Sequence, residues 1–216
     1  MKYMHSEWQK RLDHWLDTLK KDLYLPLGSI DVEAFFTMDY LTPDEALKGD
    51  FQPMAPGTQW GHTWEYCWMK SRITLPEKAE GKRIVMDLHT GGETTLFVDG
   101  KSFGTYRAEW VHTPHHYIVD NVLTTCGEAG RTYELLMEAY AGHFFPQSPL
   151  SHCATGPVLP GSYQDPAVEG KRATLGQLTY GVWNEDAYQL YMDLDTLRQL
   201  GDQVNEVFEL MMQQKP

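Results

Sequence analysis

ETTLFVDGKSFGTYRAEW, residues Glu93–Trp110, holds the strongest short-range signal in the chain. Two apolar runs flank Asp99-Gly100, and a two-residue type I′ turn needs positive φ at both central positions, which Asp and Gly tolerate. The spacing predicts a hairpin in which Val98 and Lys101 face each other across the turn. Gly104 permits a bulge or a close backbone approach in the second strand. Leu96 and Val98 fall on one face and Phe97 on the other, so the first strand is expected to be buried on both sides.

Outward from this hairpin the same rhythm continues. Strands are predicted at Trp64–Leu75, Arg83–His89, Thr94–Val98, Lys101–Tyr106, His116–Val119 and Thr132–Tyr140, separated by Pro76-Glu77, Gly91-Gly92 and Gly127–Gly130. No amphipathic helices intervene. The fold class is therefore mainly β, an antiparallel sandwich or barrel. Helices are expected only at the ends. Trp8, Leu12, Trp15, Leu16, Leu19 and Leu23 recur at helical steps from His5 to Tyr24, with Pro26 and Gly28 as the stop. Asn184 is the expected N-cap of a long helix from Glu185 to about Gln213, with Glu185 and Asp186 at its positive end. Its stripe of Leu190, Leu194, Leu197, Val204, Phe208 and Met211 predicts either folding onto the N-terminal helix or association of two copies.

The chain thus reads as an N-terminal helix and linker (1–50), a β-domain (51–183) and a C-terminal helix (184–216). Within the β-domain, 145–170 carries Pro146, Pro149, Pro157, Pro160 and Pro166 and reads as a long loop.

With 18 basic and 30 acidic residues the net charge is −12, which repels phosphate backbones, and no Lys/Arg run supplies a basic face; nucleic acid is not an expected partner. No apolar stretch is long enough to cross a membrane, and the N-terminus has no secretory apolar region. Cys67, Cys126 and Cys153 lack metal or redox spacing and read as free thiols of a cytoplasmic protein.

Motifs for nucleophilic, phosphate-binding and zinc-protease chemistry are absent. His115 and His116 would point to opposite faces of a strand, which argues against shared metal ligation. Glu65, Asp87, Glu93, Asp99, Glu109 and Glu138 read as solvated carboxylates on or beside strands. Tyr66 and Trp68 share one strand face with Trp64, while Cys67, Met69 and Ile73 share the other. Packing under a helix or a neighbouring domain is the favoured use of that aromatic face. A sugar-stacking platform is the alternative, with Trp60, Trp64, Glu109, Trp110 and His115 as candidate residues.

Three stretches carry a resemblance: PGTQWGHTWEYCWMKSRITLPEKAEGKRIVMDLHTGGETTLFVDGKSFG (56–104), RAEWVHTPHHYIVDNVLTTCGEAGRTYELLMEAYAGH (107–143) and GVWNEDAYQLYMDLDTL (181–197). In this order they closely resemble the region ahead of the catalytic domain in glycoside hydrolase family 38 α-mannosidases. The resemblance implies a jelly-roll sandwich of the galactose-binding-like kind, flanked by helices, whose natural partner is the enzyme's own catalytic domain. Such enzymes hydrolyse terminal α-mannosides with a zinc ion held by a His-x-Asp pair, an Asp nucleophile and a further His. No HxDxxW-type motif occurs here, so no catalytic or metal residue is carried over. Zinc is expected for the parent enzyme and no cofactor for this chain, which is expected to be inactive alone. Two other readings stay open: a stand-alone module binding a mannose-containing oligosaccharide, and the sugar-binding sandwich of a family 2 glycosidase.

Overall fold

The computed structural model describes residues 2–62, 64–106, 121–142 and 173–213. The predicted strand His116–Val119 and the whole Pro-rich segment 145–170 lie outside them. The elements are α1 (Lys2–Asp22), β1 (Tyr24–Ser29), β2 (Val32–Thr37), α2 (Pro43–Ala46), β3 (Gln52–Met54), β4 (Gln59–Trp60) and β5 (Tyr66–Thr74). A 3-10 turn at Glu77–Ala79 precedes β6 (Ile84–Leu88), β7 (Glu93–Val98), β8 (Lys101–Tyr106), β9 (Val122–Thr124) and β10 (Thr132–Tyr140). β11 (Ala173–Thr174), β12 (Leu178–Trp183) and α3 (Glu185–Gln213) complete the series. The protein is mainly β, with antiparallel sheets and a helix at each end, as the hairpin spacing predicts.

A six-stranded sheet runs β3-β2-β5-β10-β7-β8 and a four-stranded sheet runs β1-β12-β6-β9, with a small β4-β11 ladder beside them. The hairpin forms as read: Asp99 and Gly100 take φ of 50° and 73°, and Val98 pairs with Lys101. Leu96 pairs with Gly104 but Phe97 with Ser102, so Phe103 is the extra residue of a bulge. The turn is tied to the start of β10: Asp99 Oδ1 accepts from Glu134 N at 2.9 Å, and Asp99 Oδ2 pairs with Arg131 Nη2 at 3.0 Å. Fully buried side chains come from both large sheets, among them Met69, Ile73, Leu96 and Met137 from one and Ile84, Met86 and Leu88 from the other. Phe97 departs from expectation, because it is only half-buried; the face it occupies is covered over part of its area.

The segment read as helix stop and linker contains two strands. Pro26 and Gly28 sit inside β1 rather than ending a helix. β1 is an edge strand, the one place in a sheet where a missing N–H is tolerated. Ahead of α3 the chain forms two separate strands, the short β11 and the longer β12.

By compactness the chain divides into 27–180 and a second unit made of 1–26 with 181–216. In the second unit α1 and α3 lie antiparallel, with Gln9 Nε2 donating to Asp202 Oδ1 at 2.7 Å and Lys20 Nζ 5.8 Å from the Tyr191 ring. Asn184 caps α3 as read, its Oδ1 accepting from Ala187 N at 3.2 Å. Three members of the apolar stripe stay outside the helix contact. Leu190, Leu197, Leu200 and Val204 are exposed, as are Trp8 and Trp15 of α1. Ala187 and Tyr191 are buried instead, and further along Arg198 is held by Asp195 at 2.8 Å and Asp202 at 3.5 Å.

Candidate functional site

Alternation along β5 sends Tyr66, Trp68, Lys70 and Arg72 to the outer face of the six-stranded sheet. The register places Tyr140, Glu138, Leu136 and Glu134 of β10 opposite them in that order. Phe97 of β7 lies beside Leu136, and Glu33 and Phe35 of β2 lie beside Lys70 and Trp68. One row of side chains therefore changes from aromatic to charged along its length.

The aromatic half is roofed. Residues 38–51 cross it with the one-turn helix α2, where Glu45 Oε2 accepts from Thr42 N at 2.8 Å and from Thr42 Oγ1 at 2.6 Å. The Thr42 hydrogen bonds hold the Glu45 carboxyl below its ordinary range. Ala46, Trp68 and Leu136 form a buried cluster with Phe35, Leu41, Phe51, Tyr66 and Phe97 around it. Phe51 meets Phe35 edge-on at 4.8 Å. At the start of the roof, Tyr40, 80% exposed, stands edge-on to Tyr66 at 6.3 Å, and Tyr66 lies 4.9 Å from Tyr140.

Two polar atoms under this roof stand out. Trp68 is fully buried and Glu138 half-buried, and among the described residues neither Trp68 Nε1 nor Glu138 Oε1 has a hydrogen-bond partner. Burial raises the Glu138 carboxyl above its ordinary value. Burial first, then Glu138 and Tyr40, raises the Tyr66 phenol. Glu138 is thus not the solvated strand-end carboxylate that its polarity suggests; it sits mid-strand beside a buried indole.

The charged half is open. Between α2 and the β7–β8 hairpin lies a groove of about 760 Å³. Phe97 and Leu136 line it from the sheet, with Leu47 and Pro43 from α2 and its flank. Lys70 pairs with Glu33 at 2.9 Å and Arg72 with Glu134 at 2.6 Å, so each basic side chain is offset by a carboxylate, and Asp31 and Asp44 line the groove as well. Lys70 Nζ also stands 4.5 Å above the Phe51 ring.

The sequence-derived candidates do not assemble here. Trp60 is fully buried and its Nε1 donates to Thr90 O at 2.9 Å, which makes it a core residue and leaves no indole face open. Trp64 is half-buried with φ of 70°, off the strand that was expected to carry it. Its turn is held by Glu65, whose Oε2 accepts from Gly61 N and His62 N, each at 3.0 Å. Glu109, Trp110 and His115 lie outside the described residues. Cys67 and Cys126 are free; burial, then Glu65, pushes the Cys67 thiol up. Among the described residues no three His, Cys, Asp or Glu side chains come together to hold a metal ion. No helix among them is long and apolar enough to cross a membrane.

Comparison with known proteins sets this geometry in a family. The family model described as the α-mannosidase jelly roll domain matches residues 26–161. The Homo sapiens protein α-mannosidase 2C1 is 31% identical over 70 residues, 32% of this chain and 7% of that protein. Its Mus musculus counterpart is 27% identical over 73 residues, 34% of this chain and 7% of that protein. The match thus spans about 7% of the length of these curated relatives. Among solved structures, Ruminococcus gnavus β-glucuronidase in complex with uronic deoxynojirimycin aligns over 76% of this chain and 29% of that one, with a TM-score of 0.44 and 11% identity. The family match takes in well over half of the chain, including the paired β5, β10 and β7 strands and the Asp99-Gly100 hairpin. This chain belongs to the α-mannosidase jelly-roll family.

Proposed function

We propose that this chain is the non-catalytic β-sandwich part of a cytoplasmic α-mannosidase, and that it supports a catalytic domain which hydrolyses terminal α-mannosides. The family match over 26–161 carries this reading. Zinc belongs, on this reading, to the catalytic domain and not to the sandwich. The exposed Trp8, Trp15, Leu190, Leu197, Leu200 and Val204 support it further, since apolar side chains in such numbers on two adjacent helices suit a contact with another folded domain. The expected partner is the enzyme's own catalytic domain, with a second copy of the chain as the competing occupant.

The test is an assay of the purified chain with an aryl α-mannoside and added zinc, beside the same assay after mixing with the catalytic domain. No turnover alone, with a stabilised and active mixture, is the expected result. Turnover by the isolated chain would sink the reading.

A further inference from the structure

The groove between α2 and the β7–β8 hairpin lies on the β-sheet and not on the helix pair to which the supporting role was tied. We propose that it binds a neutral oligosaccharide, one pyranose lying flat on Phe97 with its hydroxyls reaching the Lys70–Glu33 and Arg72–Glu134 pairs. The volume, about 760 Å³, lies within the roughly 300–1,000 Å³ of small-ligand sites. Its lining combines apolar surface from Phe97, Leu136 and Leu47 with charged groups along the side. A sugar ring presents the matching pair of surfaces, a C–H face and an edge of hydroxyls.

Two features choose this ligand over others. Lys70 and Arg72 are each matched by a carboxylate within 2.9 Å, so the groove offers donors and acceptors side by side without an excess of positive charge. An anionic ligand would meet Glu33, Glu134 and Asp44. The second feature is the floor. β10 pairs with β5 on one side and β7 on the other, so the backbone of the floor is committed and the floor presents side chains alone. An extended peptide laid there would find no strand edge for its own N–H and C=O groups, whereas hydroxyls are served by side chains. The choice of mannose as the sugar rests on the function proposed above.

The experiment is a ¹⁵N-detected NMR titration of the full chain with α-linked mannotetraose and, separately, with cellotetraose. Saturable shifts confined to the neighbourhood of Lys70, Arg72, Phe97, Glu134 and Leu136 are expected with mannotetraose, and Phe97→Ala should weaken binding by about tenfold or more. Near-UV circular dichroism checks that this variant folds. Arg72→Leu, at an exposed position, gives a second reading that does not depend on the core. Absence of saturable shifts with both sugars, or shifts centred elsewhere, overturns the proposal. Capture of a peptide at Phe97 with neither sugar binding overturns it too. Response to cellotetraose alone keeps a glycan groove and removes mannose, and the aryl α-mannoside assay on the same sample shows separately whether the supporting role has failed.

Discussion

Glu138 is a carboxylate in an unfavourable place. Its Oε1 is buried beside the Trp68 indole with no donor among the described residues, and burial alone raises its pKa. The native state therefore keeps a proton that the unfolded chain releases at its ordinary value near 4.5. Native protein binds more protons than unfolded protein between that value and the raised one, so stability is fullest below 4.5 and falls as pH climbs across this window. Glu138→Gln should abolish that slope and raise the melting temperature at neutral pH by no more than about 2–4 °C, because the group is only half-buried. Thermal unfolding of both proteins from pH 4 upward checks this; a parallel slope in the variant would refute it. Trp68 belongs to the opposite class, buried completely in a well-packed cluster. Trp68→Ala should cost about 3–5 kcal/mol, measured by denaturant unfolding.

Among the elements, the β7–β8 hairpin was the most legible in the sequence, because Asp-Gly leaves few alternatives and the flanking alternation agrees with it. Asp99→Ala would remove a residue suited to φ of 50°, the acceptor for Glu134 N and the Arg131 partner together. A loss of about 1–3 kcal/mol is expected, and Asp99→Asn should recover part of it, since Asn tolerates the same backbone conformation. β10 was also read correctly, to the residue. β1 and β2 were not, because Pro26 and Gly28 carry the signature of a helix stop, and only the strand order reveals that β1 is an edge. The site was less legible than the fold. That Tyr66 and Trp68 share a face is visible from the two-residue period, and extending the period to Lys70 and Arg72 signals a face roofed at one end only. What lay beyond reach was the roof, since residues 38–51 have no periodicity that says which sheet face they cross. Trp60 misled because aromatic identity says nothing about burial; a fully buried indole and a sugar platform are spelled alike.

At the scale of the molecule, the helix pair buries Leu16, Ala187 and Tyr191 while Trp8, Trp15, Leu190, Leu197 and Val204 stay exposed. A stripe of Leu190, Leu197 and Val204 seven residues apart is the pattern of a helix with a partner, yet the α1 contact uses Gln9 and Asp202. Replacing Leu197 and Val204 together by Glu should leave unfolding by denaturant nearly unchanged while lowering any self-association seen by sedimentation. Loss of folding in that variant would mean that the stripe is internal packing after all.

The bond between Gln9 and Asp202 joins residues 193 apart in sequence. During synthesis at about 5–20 residues per second, α1 leaves the ribosome roughly 10–40 s before the segment it must meet. Through that interval Leu16, buried in the folded protein, stands on a helix without its mate, while the strands between are already pairing. This helix is thus made well before the segment that secures it, which makes it a natural point for chaperone engagement.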